Sequence, residues 1–255
     1  MTDTVDTVWQ QRSKSFGTAA QEYDRVRPSY PPQLIEDVLE LARPQRMLDV
    51  GAGTGKATRA FARPGLAITA LEPDPRMAEV LKENVAGLDV TVQVGRFEEF
   101  EPAQPYDLLI CAQAWHWVDE ARRWDLGAAA LTTGGTIALF WNQDRPADPA
   151  VAAELKAIHE EHGADFWYED SPLDEYTMRW PELADQPAFT DYQTRLYRWE
   201  RLLSVEDYLA NLGTQSSYLI LGADARTALF GDIRARLQGD IAVALDTGLH
   251  LANRR

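Results

Sequence analysis

Three glycines alternate along one short segment of this 255-residue chain, and an acid stands on either side of them. Asp49 ends the apolar run before Gly51, Gly53 and Gly55, and Glu72 ends a second apolar run 23 positions after Asp49. A glycine turn between a strand and a helix leaves bare backbone against which a ligand can lie. A carboxylate about 20 residues further on can accept hydrogen bonds from both ribose hydroxyls. The pattern therefore predicts a site for a ligand that contains a ribose.

The glycine spacing distinguishes two kinds of ligand. Dinucleotide folds follow G-x-G-x-x-G, whose third glycine allows close packing around a pyrophosphate. This chain reads G-x-G-x-G, and the charge of Asp49 would repel a pyrophosphate but suit an amine and a sulfonium. The segments 49–55 and 71–73 together resemble the S-adenosylmethionine site of class I methyltransferases. The resemblance implies S-adenosylmethionine as the cofactor.

Apolar runs alternate with helical patterns through the first 145 residues. Pro31 and Pro32 open a first helix. Strands are then expected at 47–50, 67–71, 90–94, 106–112 and 136–141, with helices at 56–63, 75–84 and near 119–130. This alternation predicts an α/β fold with a doubly wound parallel sheet. The resemblance extends it to a mostly parallel seven-stranded sheet, the Rossmann-like methyltransferase fold, with an antiparallel pair at about 192–202 and 241–252.

The organisation expected is a single methyltransferase domain over 1–255. Its four segments are an N-terminal cap at 1–30, a cofactor-binding core at 31–145, a helical cap insertion at 146–190, and a C-terminal strand pair with a helical insertion at 191–255. Ligands of doubly wound sheets bind outside the carboxyl ends of the strands. The site is therefore expected where the core strands end.

The candidate cofactor-binding residues follow these strand ends. By resemblance, backbone of the glycine loop faces the methionine portion, Glu72 holds the ribose, and a backbone amide near Phe97 faces the adenine. Met77 lies one helical turn beyond the second strand and either covers the adenine face or packs in the core. The full set is Asp49, Gly51, Ala52, Gly53, Glu72, Pro73, Met77, Phe97, Gln113 and Ala114.

The segment after the fourth strand is expected to meet the methyl acceptor. With Phe16–Ala20, Tyr23–Pro32 and Phe140–Asn142, the segment 111–119 resembles small-molecule methyltransferases that include the trans-aconitate methyltransferase-like enzymes. His116 is interpreted as the only histidine at this edge of the sheet, and it titrates near neutrality, so it is a candidate base. The alternative is that His116 packs between its two tryptophan neighbours.

The implied activity is methyl transfer to a small-molecule acceptor, with a carboxylate oxygen as the preferred atom. A carboxylate needs placement more than proton removal. Two other functions stay open: a protein that binds S-adenosylmethionine for another reaction or as a ligand-binding module, and a nicotinamide-dependent oxidoreductase, which the glycine spacing disfavours.

Arginines and aromatic residues outside the core are candidates for holding the acceptor. Arg25, Arg27 or Arg179 could clamp an acceptor carboxylate. Aromatic side chains could close over the site and exclude water. They are Tyr23, Tyr30, Trp115, Trp141, Phe166, Trp167, Tyr168 and Trp180.

Charge and hydropathy restrict the possible partners. A net charge of −15 argues against a nucleic-acid substrate, because phosphate binding depends on clustered Lys and Arg. No run approaches the roughly 18 apolar residues of a membrane span, and the first residues lack a secretion pattern. We therefore expect a cytoplasmic protein with no membrane partner; the sequence does not indicate an oligomeric state.

Cysteine and histidine usage predicts no metal site. The single cysteine, Cys111, lies in an apolar strand and is expected to be an inert core residue. His159 and His162 are three apart, whereas zinc-binding helices of the H-E-x-x-H kind place two histidines four apart. A solvated helix face is the interpretation of that pair.

Overall fold

The computed structural model describes residues 20–164 and 180–255. Predictions about 16–19, Phe166, Trp167, Tyr168 and Arg179 lie outside the described residues. The chain divides into two compact units. The described part of the helical unit comprises 20–27, 143–164 and 198–246, and that of the sheet unit comprises 28–142, 180–197 and 247–255. The single domain over 1–255 stays a prediction.

Seven strands form one sheet in the order β3-β2-β1-β4-β5-β7-β6. The strands are β1 (Arg46–Val50), β2 (Ala67–Glu72), β3 (Val90–Val94), β4 (Tyr106–Ala112), β5 (Leu131–Pro146), β6 (Phe189–Leu203) and β7 (Ile241–Arg254). The first five are parallel to one another. The order reverses at β1 and β4, which is the switch point where such sheets bind ligands.

The described helices connect these strands or fill the helical unit. They are α1 (Ala20–Val26), α2 (Pro32–Ala42), α3 (Lys56–Phe61), α4 (Pro75–Asn84), α5 (Arg123–Ala130), α6 (Pro149–Glu161), α7 (Pro181–Ala184), α8 (Val205–Gly213), α9 (Ser216–Leu219) and α10 (Ala223–Arg236). The start of α4 shows how the sequence places them. Pro75 occupies its first turn, and the Asp74 carboxylate accepts from the backbone N–H groups of Arg76 and Met77.

The last strands confirm that the mostly parallel sheet also contains antiparallel neighbours. Within the sheet unit, the Thr136 hydroxyl donates to the Asn253 side chain (3.0 Å), and the Thr247 hydroxyl donates to the Asn142 side chain (2.6 Å). Early residues of β5 thus meet late residues of β7, so the two strands are antiparallel. The seven-stranded methyltransferase-like sheet is confirmed.

The prediction for the fifth strand was too short. The Gly134-Gly135 pair indicated a strand start at 136, but β5 begins at Leu131. Its pairing with β4 jumps from Tyr106–Leu131 to Leu108–Thr136, so residues 132–135 form a bulge. Glycine inside a strand marks a bulge as readily as a strand end, and the sequence alone does not separate the two.

Both faces of the sheet are buried, as a doubly wound fold requires. Along β4, Leu109 and Cys111 pack on the side of α5, while Leu108 and Ile110 pack on the side of α2 and α3. The prediction for Cys111 is confirmed: it is fully buried, and burial raises the pKa of its thiol well above the usual range.

The helical unit has a separate apolar core built from α6, α8, α9 and α10. His159 of α6 is fully buried in the unit, where its Nδ1 donates to the Leu155 carbonyl (2.6 Å) and its Nε2 bonds the Tyr218 hydroxyl (2.8 Å). His162 bonds Asp232 instead. The solvated face predicted for this pair is wrong for His159, because it shares the buried face of α6 with Leu155. Among the described residues, no helix combines the length and apolarity needed to cross a membrane.

Candidate active site

The loop after β1 and the loop after β4 touch at the carboxyl edge of the sheet. Gly51 has φ +70°, a conformation that residues with a side chain rarely adopt. A Cβ at this position would lie 2.5 Å from the Cβ of Ala114. Glycine at 51 therefore lets these two predicted site segments come together.

Hydrogen bonds hold the glycine loop against β2 and α4. The backbone N–H groups of Gly51 and Ala52 both donate to the Leu71 carbonyl, at 2.9 and 3.0 Å. The Asn84 side chain donates to the Thr54 carbonyl at 2.8 Å. Because the Gly51 and Ala52 N–H groups are already engaged, they are not free to donate to a ligand.

Glu72 lies directly behind this loop with both carboxylate oxygens oriented. Oε2 accepts from the Gly53 N–H (2.8 Å), and Oε1 accepts from the Asp74 N–H (2.9 Å). Each oxygen can accept a second hydrogen bond. Burial raises the pKa of Glu72 to about 7 even though the two backbone bonds lower it. The chain thus fixes a buried carboxylate with acceptor capacity left over.

Asp49 is fully buried at the end of β1. Its Oδ2 accepts from the Thr58 hydroxyl of α3 at 2.6 Å, a partner that no sequence motif marks. Its Oδ1 has no hydrogen-bond partner in the part of the chain that the structure describes. Burial raises the pKa of Asp49 to about 7. A buried acceptor without a partner suits a neighbouring positive charge, which would favour its ionised form.

The residues predicted near the adenine lie beside the same loop. Met77 is buried, and its Cε is the nearest atom, at 3.7 Å, to a Cβ built on Gly53. Phe97 is buried and begins a 3₁₀ turn after β3, with its ring 6.1 Å from that of Trp115. Pro73 is exposed. The role of Met77 as a cofactor contact stays a prediction.

Gln113 connects the ends of β4 and β5 in a strained conformation. Its φ is +63°, which costs a residue with a side chain roughly 1–2 kcal/mol. Its N–H donates to the Phe140 carbonyl (3.0 Å), and its Nε2 donates to the Asn142 carbonyl (3.3 Å). Strain of this kind concentrates at functional sites, where surrounding contacts hold it.

His116 lies in a 3₁₀ turn between a buried and a half-buried tryptophan. The His116 side chain is exposed, and its ring centroid is 4.7 Å from that of Trp117. Desolvation by the surrounding chain lowers its pKa, and the charge of Arg123 lowers it further. The lowered pKa keeps the ring in its neutral form at pH 7. Its role as a base stays a prediction.

A second histidine lies near this edge, so the interpretation of His116 as the only one is wrong. His250 of β7 has its ring 5.7 Å from that of Trp141. Its Nδ1 shares a 2.9 Å hydrogen bond with the Tyr192 hydroxyl, which also accepts from the Trp180 N–H. Burial lowers the pKa of His250 to about 4. The strand was predicted, but only the β5–β7 register brings His250 beside Trp141.

The two predicted arginine clamps within the described residues already have partners. Arg25 pairs with Glu22 and Asp207. Arg27 donates to the hydroxyl and the carbonyl of Thr214. Both arginines and these partners belong to the helical unit.

The fold and the glycine loop are those of a class I methyltransferase, and the comparisons with known proteins agree. A family model described as a methyltransferase domain matches residues 47–135. An uncharacterized methyltransferase of Mycobacterium tuberculosis is 35% identical over 241 residues, which cover 94% of this chain and 92% of the relative. The chain belongs to the methyltransferase family.

Other similarities cover a smaller part of the chain or come from relatives of lower sequence identity. A trans-aconitate 2-methyltransferase of Mycobacterium tuberculosis is 37% identical over 137 residues, or 51% of this chain and 49% of the relative. A proposed type II methyltransferase from Anaeromyxobacter dehalogenans has a similar solved structure, with a TM-score of 0.61 at 23% identity, covering 88% of this chain and 97% of that one. A Haemonchus contortus phosphoethanolamine N-methyltransferase in complex with S-adenosylhomocysteine has a TM-score of 0.53 at 16% identity, covering 93% and 57%.

The protein is an S-adenosylmethionine-dependent methyltransferase, and the prediction of its cofactor is confirmed. The alternative of a binding module without methyl transfer is not favoured. The residues at the carboxyl edge fit the cofactor: Glu72 retains acceptor capacity, Asp49 holds an unpartnered buried oxygen, and Gly51 leaves no side chain in the way. Among the described residues, no group of three or more His, Cys, Asp or Glu side chains is placed to hold a metal ion.

Proposed function

We propose that the protein methylates a carboxylate oxygen of a small-molecule acceptor. The observation that carries this proposal is that the described segments just after β4 (113–118) and late in β5 (141–142) contain one ionisable side chain, His116. The His116 side chain is exposed, and desolvation by the surrounding chain lowers the pKa of its ring. A carboxylate is already ionised at pH 7, so it needs no base. The similarity to a trans-aconitate 2-methyltransferase over half of the chain supports the same acceptor class.

The proposal assigns the cofactor's contacts to the residues at the carboxyl edge. S-adenosylmethionine supplies a methyl group activated by a sulfonium. Glu72 would hold the ribose hydroxyls, the loop carbonyls would face the ammonium group, and Asp49 would stabilise nearby positive charge from beneath. The other proposed contacts are Gly51, Ala52, Gly53, Pro73, Met77, Phe97, Gln113 and Ala114.

The chain contributes placement more than acid–base chemistry in this scheme. Gln113 and Ala114 would fix the methionine end, because the loop that carries them is tied to β5 and packed on Gly51. Orientation of two reactants supplies a large part of the rate in such a displacement. His116 is proposed as a base only for an acceptor that must lose a proton.

The test transfers a labelled methyl group from S-adenosylmethionine to a panel of mono-, di- and tricarboxylic acids. A methyl ester releases labelled methanol in mild alkali, whereas methyl groups on nitrogen, carbon or an ether oxygen do not. We expect alkali-labile label with at least one acid. Alkali-stable label on acceptors without carboxylates would contradict the proposal.

Two variants connect the activity to the site. Glu72→Ala should abolish transfer, while Glu79→Ala, which removes an exposed carboxylate from α4, should leave it unchanged. If both variants were equally active, the reaction would not depend on the proposed contact between Glu72 and the cofactor.

A further inference from the structure

Arg201 occupies an inward position in the helical unit where an apolar residue would be expected. Residues of a strand alternate between its two faces, so Trp199, Arg201 and Leu203 of β6 share one face. Trp199 and Leu203 pack against the apolar core of the helical unit. A guanidinium group between two core-facing side chains needs a partner, because burying an unpaired charge is costly.

One edge of this guanidinium group has no partner. Nη1 donates to the Val26 carbonyl at 2.7 Å. Nε and Nη2 are both buried and have no hydrogen-bond partner within 20–164 and 180–255. The N–H groups of Nε and Nη2 point the same way from one edge of the planar group. That edge matches the two oxygens of a carboxylate in a bidentate pair.

The charged groups around Arg201 do not supply the missing partner. Desolvation lowers its pKa, and the charge of Arg27 acts in the same direction. Two carboxylates, Asp144 and Asp207, oppose this effect from a distance, but each bonds another group: Asp144 accepts from Asn211, and Asp207 pairs with Arg25. An anion at the free edge of Arg201 would therefore satisfy two buried donors that nothing in the described chain satisfies.

We propose that Arg201 is a carboxylate-binding residue of the helical unit and that its ligand is a small organic acid bound to Nε and Nη2. A planar carboxylate fits the free edge in shape. The site lies in one unit and needs no cofactor, so it goes beyond the proposed methyl transfer and is testable apart from it.

The test measures binding of propane-1,2,3-tricarboxylate to the full chain by calorimetry, without S-adenosylmethionine and at low ionic strength. Arg201→Lys keeps the charge but removes the two-donor edge, and it should weaken binding about tenfold or more. Arg198→Lys, on the same strand with a largely exposed side chain, is the matched control and should bind as the wild type does. Unchanged affinity in Arg201→Lys would overturn the proposal, as would sulfate binding as tightly as the tricarboxylate.

A second variant separates ligand binding from a structural role. Arg201→Met removes the two unpaired buried donors and fills the position with an apolar chain. Without ligand, its Tm should equal or exceed that of the wild type, and the tricarboxylate should no longer raise it. A lower Tm together with a retained tricarboxylate shift would show that Arg201 only supports the fold. Either outcome is independent of whether the protein methylates a carboxylate.

Discussion

Glu72 joins two parts of the site, because its carboxylate fixes the backbone of the glycine loop and keeps capacity for further donors. Glu72→Gln preserves the shape but places an amide N–H₂ against a backbone N–H. We expect the affinity for S-adenosylmethionine to fall about tenfold or more, from the loss of charge-assisted hydrogen bonds. Calorimetry with Glu79→Gln as the control measures this, and equal affinities in the two variants would rule out the contact.

Asp49 makes stability depend on pH in the direction opposite to a salt-bridged acid. Its pKa is raised to about 7 in the folded chain and is about 4 when unfolded, so between these values the folded state binds more protons. The contribution of Asp49 to the free energy of unfolding is therefore present below about pH 4 and is lost as the pH rises through 7. Glu72, also raised to about 7, acts in the same direction.

The variant Asp49→Asn isolates this contribution. Urea unfolding at pH 5 and pH 8 should show a larger fall in stability for the wild type than for Asp49→Asn. Asp89→Asn, which removes an exposed acid, should follow the wild type. If all three proteins lose the same stability between the two pH values, burial does not raise the pKa of Asp49.

His116 offers a test of the acceptor chemistry. With a carboxylate acceptor, His116→Ala should leave kcat within a few-fold of the wild type, because no proton has to be removed. The pH–rate profile of the wild type should then show no rise in rate that depends on His116, so His116→Ala should have a profile of the same shape. A loss of about 100-fold or more in kcat, with such a rise in rate removed, would assign His116 as a base and contradict a carboxylate acceptor.

At the scale of elements, the chain offers a matched pair of glycines. Gly51→Ala and Gly65→Ala both put a side chain at positive φ, but only the first meets a neighbour, the Ala114 Cβ at 2.5 Å; nothing lies within 4 Å at Gly65. Each should lose about 1 kcal/mol or more from the backbone conformation. Gly51→Ala should lose further stability and its binding of S-adenosylmethionine. Thermal unfolding and calorimetry would contradict this if the two variants behaved alike.

The elements that the sequence predicted best are those with local signals. The bounds of β3 and β4 match, and Pro75 marks the start of α4, because apolar runs, proline and caps act within a few residues. The bulge in β5 and the position of His250 beside Trp141 were missed. Both depend on strand register, which is set by partners more than 100 residues away in the case of β7.

The same distinction applies to the candidate site. Asp49, Gly51 and Glu72 were predicted because they form one local motif along a single strand–turn–helix–strand unit. Thr58, Tyr192 and Arg201 were missed as site residues. Thr58 carries no motif, and the partners of the other two become visible only when β6 is placed. For Arg201 a weak signal did exist, since it falls between Trp199 and Leu203 in a period-two pattern.

At the scale of the whole molecule, family membership defines the reaction and the acceptor remains the proposed part. The charge of −15 gives the chain no sequence-wide attraction for phosphate backbones, and the expectation of no nucleic-acid partner stays a prediction. The proposed cofactor contacts, including the glycine loop, Glu72 and Gln113, all lie within the sheet unit.

A crystal structure of the complex with S-adenosylhomocysteine tests the central claim most directly. We predict that both ribose hydroxyls lie within hydrogen-bonding distance of the Glu72 carboxylate and that the methionine portion lies along Gly51–Gly53. A ribose bound away from Glu72, with that carboxylate contacting only Gly53 and Asp74, would contradict it.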